Sequence, residues 1–171
     1  MKDIKLYNLI FPIWLLLFFP PVVIFTLAGN FLIDSLVVVI CFFVFKLAEK
    51  GYALKTFYRK SIVKVWLLGF LADIFGAAIL FLMGILGEDF GVPQEMASAI
   101  CFNPFENAGA AAAVFFAILV SGLLIFLFNY NISFKRCIEE NSLRIKTALT
   151  LAIITMPCTF LVPTQWFYTE L

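Results

Sequence analysis

The chain has 171 residues, 64% of them hydrophobic and only 13% charged, with a mean hydropathy of +1.06 and a formal net charge of +1. Soluble domains carry roughly 25% charged and 45–50% apolar residues, so this composition excludes a soluble globular protein. It predicts a single all-α domain, a polytopic integral membrane helix bundle in the cell membrane, whose direct partner is the lipid bilayer and not nucleic acid.

Long apolar runs predict five transmembrane helices, because about 20 apolar residues at 1.5 Å per residue cross the hydrocarbon core. In chain order they cover about residues 8–28, 31–47, 62–86, 104–129 and 146–162. A tight hairpin at residues 28–30 is expected to join the first two helices. No small-residue cleavage site follows the first run, so we interpret it as a retained crossing and not as a signal peptide. Three prolines leave open whether it crosses completely or is partly re-entrant: Pro12, Pro20 and Pro21.

The fourth helix is preceded by a helix-start signal. Asn103 is a good capping residue, Pro104 suits the first helical position, and Glu106 places an acid in the first turn. We therefore expect this helix to begin at Pro104.

The distribution of basic residues predicts the orientation of the bundle. With the N-terminus in the cytoplasm and the C-terminus outside, all twelve Lys and Arg residues fall before the first helix or around the two internal loops. The positive-inside rule requires only an excess of basic residues in the cytoplasm, so this complete separation indicates an N-in, C-out topology.

Asp73 is the central polar residue of the third helix. It lies nine residues after Lys64, which is roughly 13 Å at helical rise. Similar counting places Ser121 of the fourth helix and Thr155 of the fifth at the same depth, so these three side chains are expected to form an intramembrane polar site. A charged aspartate at a helix centre costs about 2.5–3.5 kcal/mol, and no basic side chain is expected at this depth. We therefore expect Asp73 to face protein or water and to be neutral unless water or a cation reaches it.

Small residues recur along one face of the third and fourth helices. Small-xxx-small faces let membrane helices approach closely, so these two helices are predicted to form the central pair. The residues expected at their interface are Gly69, Ala72, Gly76, Gly109, Ala113 and Ala117.

Acidic and amide side chains fall at the predicted external ends of the helices and are expected to surround an outer acidic mouth. They are Asn30, Asp34, Glu88, Asp89, Asn103 and Glu106. Their spacing matches no metal-binding loop, so we expect no metal site there.

The sequence carries no recognisable catalytic motif. It has no histidine, the commonest general base and metal ligand, and no zinc, phosphate-loop or dinucleotide fingerprint. Catalysis by paired aspartates would require a second aspartate at the depth of Asp73, and the predicted topology provides none. We therefore expect no catalytic residue, no cofactor and no enzymatic activity.

Two functions are compatible with these observations. The first is a subunit, scaffold or assembly factor that acts through its intramembrane surface on a membrane-protein partner or on a second copy of itself. The alternative is a small oligomeric transporter or channel, coupled to protons or cations or capturing solute for an importer. Asp73 is a neutral, helix-linking acid in the first and the site at the bilayer midplane in the second.

Overall fold

The computed structural model describes residues 12–15 and 20–167 of the chain. Within these residues the fold is entirely helical, without β-strands. The α-helices are α1 (Pro20–Val44), α2 (Leu54–Gly84), α3 (Gln94–Phe102), α4 (Ala108–Phe128) and α5 (Asn141–Thr155). Four helical segments of this part of the chain are long and apolar enough to cross a membrane: Val23–Val44, Leu54–Gly84, Ala108–Ser133 and Asn141–Leu161.

The prediction of a hairpin at residues 28–30 is wrong, because α1 continues through these residues without a break. Pro20 and Pro21 occupy the first turn of α1, where the helix leaves its N–H groups unpaired and tolerates proline. Gly29 lies in mid-helix with open space around it, so neither a turn nor a close contact requires the glycine there. The 25 residues of α1 span roughly 37 Å, which is the length of one crossing and not of two.

α1 and α2 pack antiparallel. Near the loop that joins them, the ring of Phe42 lies 5.9 Å from the ring of Phe57. Further from that loop, Trp66 Nε1 donates a hydrogen bond to Leu27 O at 2.8 Å. Since α3 packs on the last turn of α2, α1 leads from the end of the bundle that carries α3 to the opposite end.

Residues 12–15 lie at the α3 end of the bundle. Trp14 is buried there, and its Nε1 donates to Ile100 O at 3.2 Å. The Ile13 N–H donates to Thr164 Oγ1 at 3.0 Å. Since α1 begins towards this same end, residues 12–15 and the start of α1 lie together, and the described residues show no separate crossing before α1. Five crossings are thus not confirmed, and residues 1–11 and 16–19 lie outside the described residues.

The basic residues of the described part of the chain lie towards the end opposite α3, which we call the basic end. Here α1 ends and α2 and α5 begin, and an ion pair between Lys50 and Glu140 joins the two loops. α2 starts at Leu54, earlier than predicted, and its 31 residues span roughly 46 Å. The first turns of α2 therefore extend beyond the length that a bilayer core requires. The basic residues are Lys46, Lys50, Lys55, Arg59, Lys60, Lys64, Lys135, Arg136, Arg144 and Lys146.

The connection from α2 to α4 contains α3, which was not predicted from the sequence. The Asn103 side chain caps only a short 3-10 turn, Pro104–Glu106. Asn107 Oδ1 then accepts from Ala110 N at 3.1 Å and caps α4, so α4 begins four residues later than predicted. α4 continues directly into a π-helical turn, Asn129–Ser133.

The interior contains two apolar clusters, one towards each end of the bundle. Phe57 and Phe134, whose rings stack at 5.9 Å, belong to the cluster at the basic end. Leu80 and Ile100 belong to the cluster at the α3 end. α2 passes through both, and Asp73 falls on α2 at the level between them.

Candidate functional site

The candidate site is built around two buried carboxyl groups, one from each of the antiparallel helices α1 and α2. Asp34 is 5% exposed and Asp73 is 8% exposed. Gly69 of α2 faces Asp34, and a Cβ at Gly69 would lie 3.7 Å from Asp34 Oδ2. This is an ordinary van der Waals distance, so the Asp34 carboxyl lies against α2 at Gly69. The two aspartates are close enough to interact electrostatically.

Both carboxyls line a cavity of about 290 Å³ between α1, α2 and α5. Its polar lining also comes from side chains of α1, α5 and the turn after α5, namely Thr26, Asn30, Thr155 and Thr159. Its apolar lining includes Ile33, Phe70, Ile154, Met156 and Phe160. No basic side chain is among the described residues around it, so the two carboxyls face a cavity without a counter-charge.

The carboxyl groups also lack hydrogen-bonding partners within the described part of the chain. Asp73 Oδ1 is fully buried and accepts no hydrogen bond. Asp34 forms no hydrogen bond or ion pair within residues 12–15 and 20–167. A buried polar atom without a partner costs roughly 1–3 kcal/mol, and more when it is charged. The cavity therefore holds acceptor groups that the described residues leave unsatisfied.

α5 ends beside this cavity because Met156 and Pro157 interrupt the helix. Met156 adopts an extended conformation with φ −58° and ψ 145°. Pro157 has no N–H to donate to the carbonyl of Ile153, and the Cys158 N–H donates to Met156 O at 2.7 Å. The last carbonyls of α5 thus lose their helical partners, and the negative end of the α5 dipole lies at the cavity. The predicted fifth helix, residues 146–162, is in fact α5 followed by this break and a 3-10 turn, Cys158–Leu161.

The predicted polar site is only partly assembled. Asp73 and Thr155 line the same cavity. Ser121 lies in the α2–α4 interface instead, where its Oγ donates to Ala72 O at 3.1 Å. Ser121 therefore donates to a backbone carbonyl of α2 and forms no hydrogen bond with Asp73, the residue that follows Ala72. Thr155 also donates to Leu151 O at 2.9 Å, within its own helix.

The predicted outer acidic mouth is divided between two places. Asn30 and Asp34 line the cavity from the middle of α1, because the hairpin that would have placed them outside does not exist. The remaining described residues of this set lie at the α3 end, where Asp89 is exposed and Asn103 Nδ2 donates to Glu106 Oε1 at 3.0 Å. Glu88 belongs to the same end, but its side chain is outside the described residues. The described residues contain no cluster of three metal-ligating side chains.

Asp34 is the residue that the sequence-based prediction misplaced, and it overturns the expectation of a single deep aspartate. The sequence did contain a signal for the position of Asp34 within a helix. Asp34 has long apolar runs on both sides, and no proline follows Pro21 within α1. Glycine is common in transmembrane helices, so the AGN stretch at residues 28–30 did not require a turn.

The small residues of α2 and α4 lie largely where they were predicted, and these two helices form the most extensive helix pair. Ala72 and Gly76 of α2, and Ala113 and Ala117 of α4, are buried. The two outer members of the set lie elsewhere: Gly69 faces Asp34, and Gly109 faces Met96 of α3.

No family model matches this chain, and no curated protein or solved structure is significantly similar to it.

Proposed function

We propose that this protein is an integral membrane protein that binds a cation or cationic solute in the acidic cavity between α1, α2 and α5. It would act as a small carrier or as the solute-binding subunit of a larger transporter. The observation that carries the proposal is the pair of buried carboxyls of Asp34 and Asp73, which have neither a hydrogen-bonding partner nor a basic neighbour among the described residues that line the cavity. Ionisable residues inside a membrane are expensive to keep and typically mark ion or substrate pathways.

The break in α5 supports the same proposal. Transporter sites are typically formed by interrupted helices, whose C-terminal ends and unwound carbonyls coordinate cations. Here the C-terminal end of α5 adds a partial negative charge to the two carboxyls. Every charged or dipolar group identified around the cavity thus favours a positive ligand.

We propose binding and not hydrolysis for the aspartate pair. A cavity of about 290 Å³ suits a small solute and is too small for several residues of an extended peptide. The protein would therefore not be an enzyme, in line with the missing catalytic motifs.

For the topology, we propose four crossings of the cell membrane with the basic end in the cytoplasm, as the positive-inside rule requires. Residues 12–15 and Thr164 would then both lie outside, since a hydrogen bond links them at the α3 end. Both ends of the described chain would thus lie outside, in contrast to the N-in orientation expected from five crossings.

The proposal is tested by flux measurements in liposomes. Purified protein is reconstituted, and uptake of protons, Na⁺, K⁺ and labelled organic cations is followed under an imposed gradient. We expect flux in the wild type and at least a tenfold loss in Asp34→Asn and Asp73→Asn. Asp89→Asn, which removes an exposed acid at the α3 end, is the matched control and should retain flux.

A protein that captures solute for a partner would bind a cation without transporting it alone. Affinity purification from the native membrane then yields a stoichiometric membrane partner, and flux appears when both are reconstituted. Absence of flux, of cation binding and of such a partner would contradict the proposal.

A further inference from the structure

The size of the acidic cavity bears on the chemical class of its ligand. A metal ion coordinated directly by protein needs a compact site: Ca²⁺, for example, takes roughly six to eight oxygens at about 2.3–2.6 Å. The cavity of about 290 Å³ is several times larger than the ≈30 Å³ that one water occupies. A bare metal ion would leave most of this space unfilled, whereas a ligand with several heavy atoms would fill it.

The walls of the cavity indicate a ligand with a hydrocarbon part. Phe70 of α2, Ile33 of α1 and Phe160 of the turn after α5 contribute apolar surface next to the carboxyls. Such walls stabilise alkyl groups by excluding water, and aromatic faces additionally attract cations.

The unpartnered oxygens indicate a ligand that donates hydrogen bonds. Asp73 Oδ1 is buried without a donor, and Asp34 has none among the described residues. An ammonium group supplies both the missing positive charge and up to three N–H donors. A quaternary ammonium supplies the charge alone and would leave the acceptors unsatisfied.

We propose that the acidic cavity binds a short-chain primary amine in its ammonium form. Asp34 and Asp73 accept its N–H donors, and Phe70 and Phe160 cover its alkyl chain. Because two carboxyls are present, a diamine binds more tightly than a monoamine of equal length. This inference rests on the proposed cation-binding function and names the ligand class of the same site.

The first experiment measures thermal unfolding of the purified full chain with increasing butylamine or putrescine. Butanol, butyrate, tetramethylammonium, NaCl and KCl at equal concentrations are the controls. We expect saturable stabilisation by the two amines, with putrescine effective at lower concentration, and none by butanol or butyrate. The double variant Asp34→Asn/Asp73→Asn should lower amine affinity at least tenfold, and Asp89→Asn should leave it unchanged.

A second measurement needs no aspartate variant and therefore does not depend on how well the variants fold. Cys158 is exposed and lines the cavity. Saturating putrescine should slow its alkylation in the wild-type protein at least fivefold, whereas butanol should not.

The outcomes separate the two proposals. Stabilisation by Na⁺, K⁺ or tetramethylammonium, lost in the double variant and without an amine effect, overturns the amine inference and leaves the cation site in place. An amine effect that persists in the double variant, or that does not protect Cys158, overturns the inference because the amine binds elsewhere. No response to any cation overturns both proposals.

Discussion

Gly76 lies where α2 and α4 approach each other most closely. A Cβ at this position would overlap Ser121 Oγ and lie 3.2 Å from the backbone oxygen of Ala117. Ser121 cannot rotate away without losing its buried hydrogen bond to Ala72 O. One missing methyl group therefore permits both the close approach of the two helices and the hydrogen bond between them.

We expect Gly76→Ala to lower the free energy of unfolding by about 2 kcal/mol, because overpacking a tight interface typically costs 1–3 kcal/mol. Reversible unfolding in mixed detergent micelles measures the change. Gly29→Ala is the matched control, since it adds the same methyl group to a helix where nothing lies within 4 Å. Equal stability of the two variants would contradict the close approach.

Cys101 and Cys137 lie outside the four segments that are long and apolar enough to cross a membrane, and their surroundings differ from those of Cys158. Burial raises the pKa of the Cys101 thiol to about 11. Burial also raises the pKa of Cys137, although Lys64 and Lys60 act in the opposite direction. Because the thiolate is the reactive form, the raised pKa lowers the reactivity of both thiols.

At pH 8 we expect maleimide to modify the exposed Cys158 well before Cys101, whose thiolate fraction is about one in a thousand at a pKa of about 11. The Cys101 rate should rise about tenfold per pH unit as the pH approaches that pKa. Mass spectrometry of peptides from timed samples gives each rate. All four cysteines should react rapidly in SDS, and a fast reaction of Cys101 in the folded protein would contradict its burial.

At the scale of single elements, α5 differs from the other helices long enough to cross a membrane because it is interrupted beside the cavity. Its 15 residues end at Thr155, and the crossing segment is completed by Met156, Pro157 and a 3-10 turn. Within a membrane an interrupted helix is tolerated only where its free carbonyls contact protein or a water-filled cavity. The position of the break is therefore consistent with a solvated cavity at Asp34 and Asp73.

We expect Pro157→Ala to restore the N–H that Ile153 O lacks and to extend α5 by about one turn. The extension would displace Thr159 and Phe160 from the cavity wall and weaken amine binding at least tenfold, with little loss of overall stability. Thermal unfolding with and without putrescine measures both effects. Pro93→Ala, at the exposed start of α3, serves as the control. Unchanged amine affinity in Pro157→Ala would argue against a role for the break.

At the scale of the whole molecule, charge and polarity divide the bundle into two ends. The basic end carries the basic residues of the described chain, and the α3 end carries exposed acids such as Asp89, Glu95 and Glu106. A bundle of four crossings places the α1–α2 loop and the α4–α5 loop on the same side. In the topology that we propose, the positive-inside rule places that side in the cytoplasm.

This topology predicts opposite labelling of two exposed loop positions. In a cysteine-free background, Asp89→Cys should react with a membrane-impermeant maleimide in intact cells, whereas Glu139→Cys should react only after the cells are opened. Reporter fusions at the two chain ends should give the same, external signal. Opposite signals from the two ends would indicate an odd number of crossings and restore the five-helix prediction.

The sequence determined the features that depend on composition and local pattern. Its apolar content requires helices, because only internally hydrogen-bonded structures are stable in lipid. The small residues of α2 and α4 predicted their pairing, since close approach depends on side-chain size at a fixed helical spacing. Counting residues along one helix likewise predicted the depth of Asp73 in the bilayer, which stays a prediction.

Only the tertiary structure decided which side chains meet. Residues 28–30 are compatible with a turn or with a continuous helix, and packing of α1 along α2 favours the helix. That choice moves Asp34 from a predicted outer loop to the cavity beside Asp73. The tertiary structure likewise decides that Ser121 donates to the backbone of α2. The direction of each side chain depends on the rotation of its helix about the helix axis, and counting residues does not give that rotation.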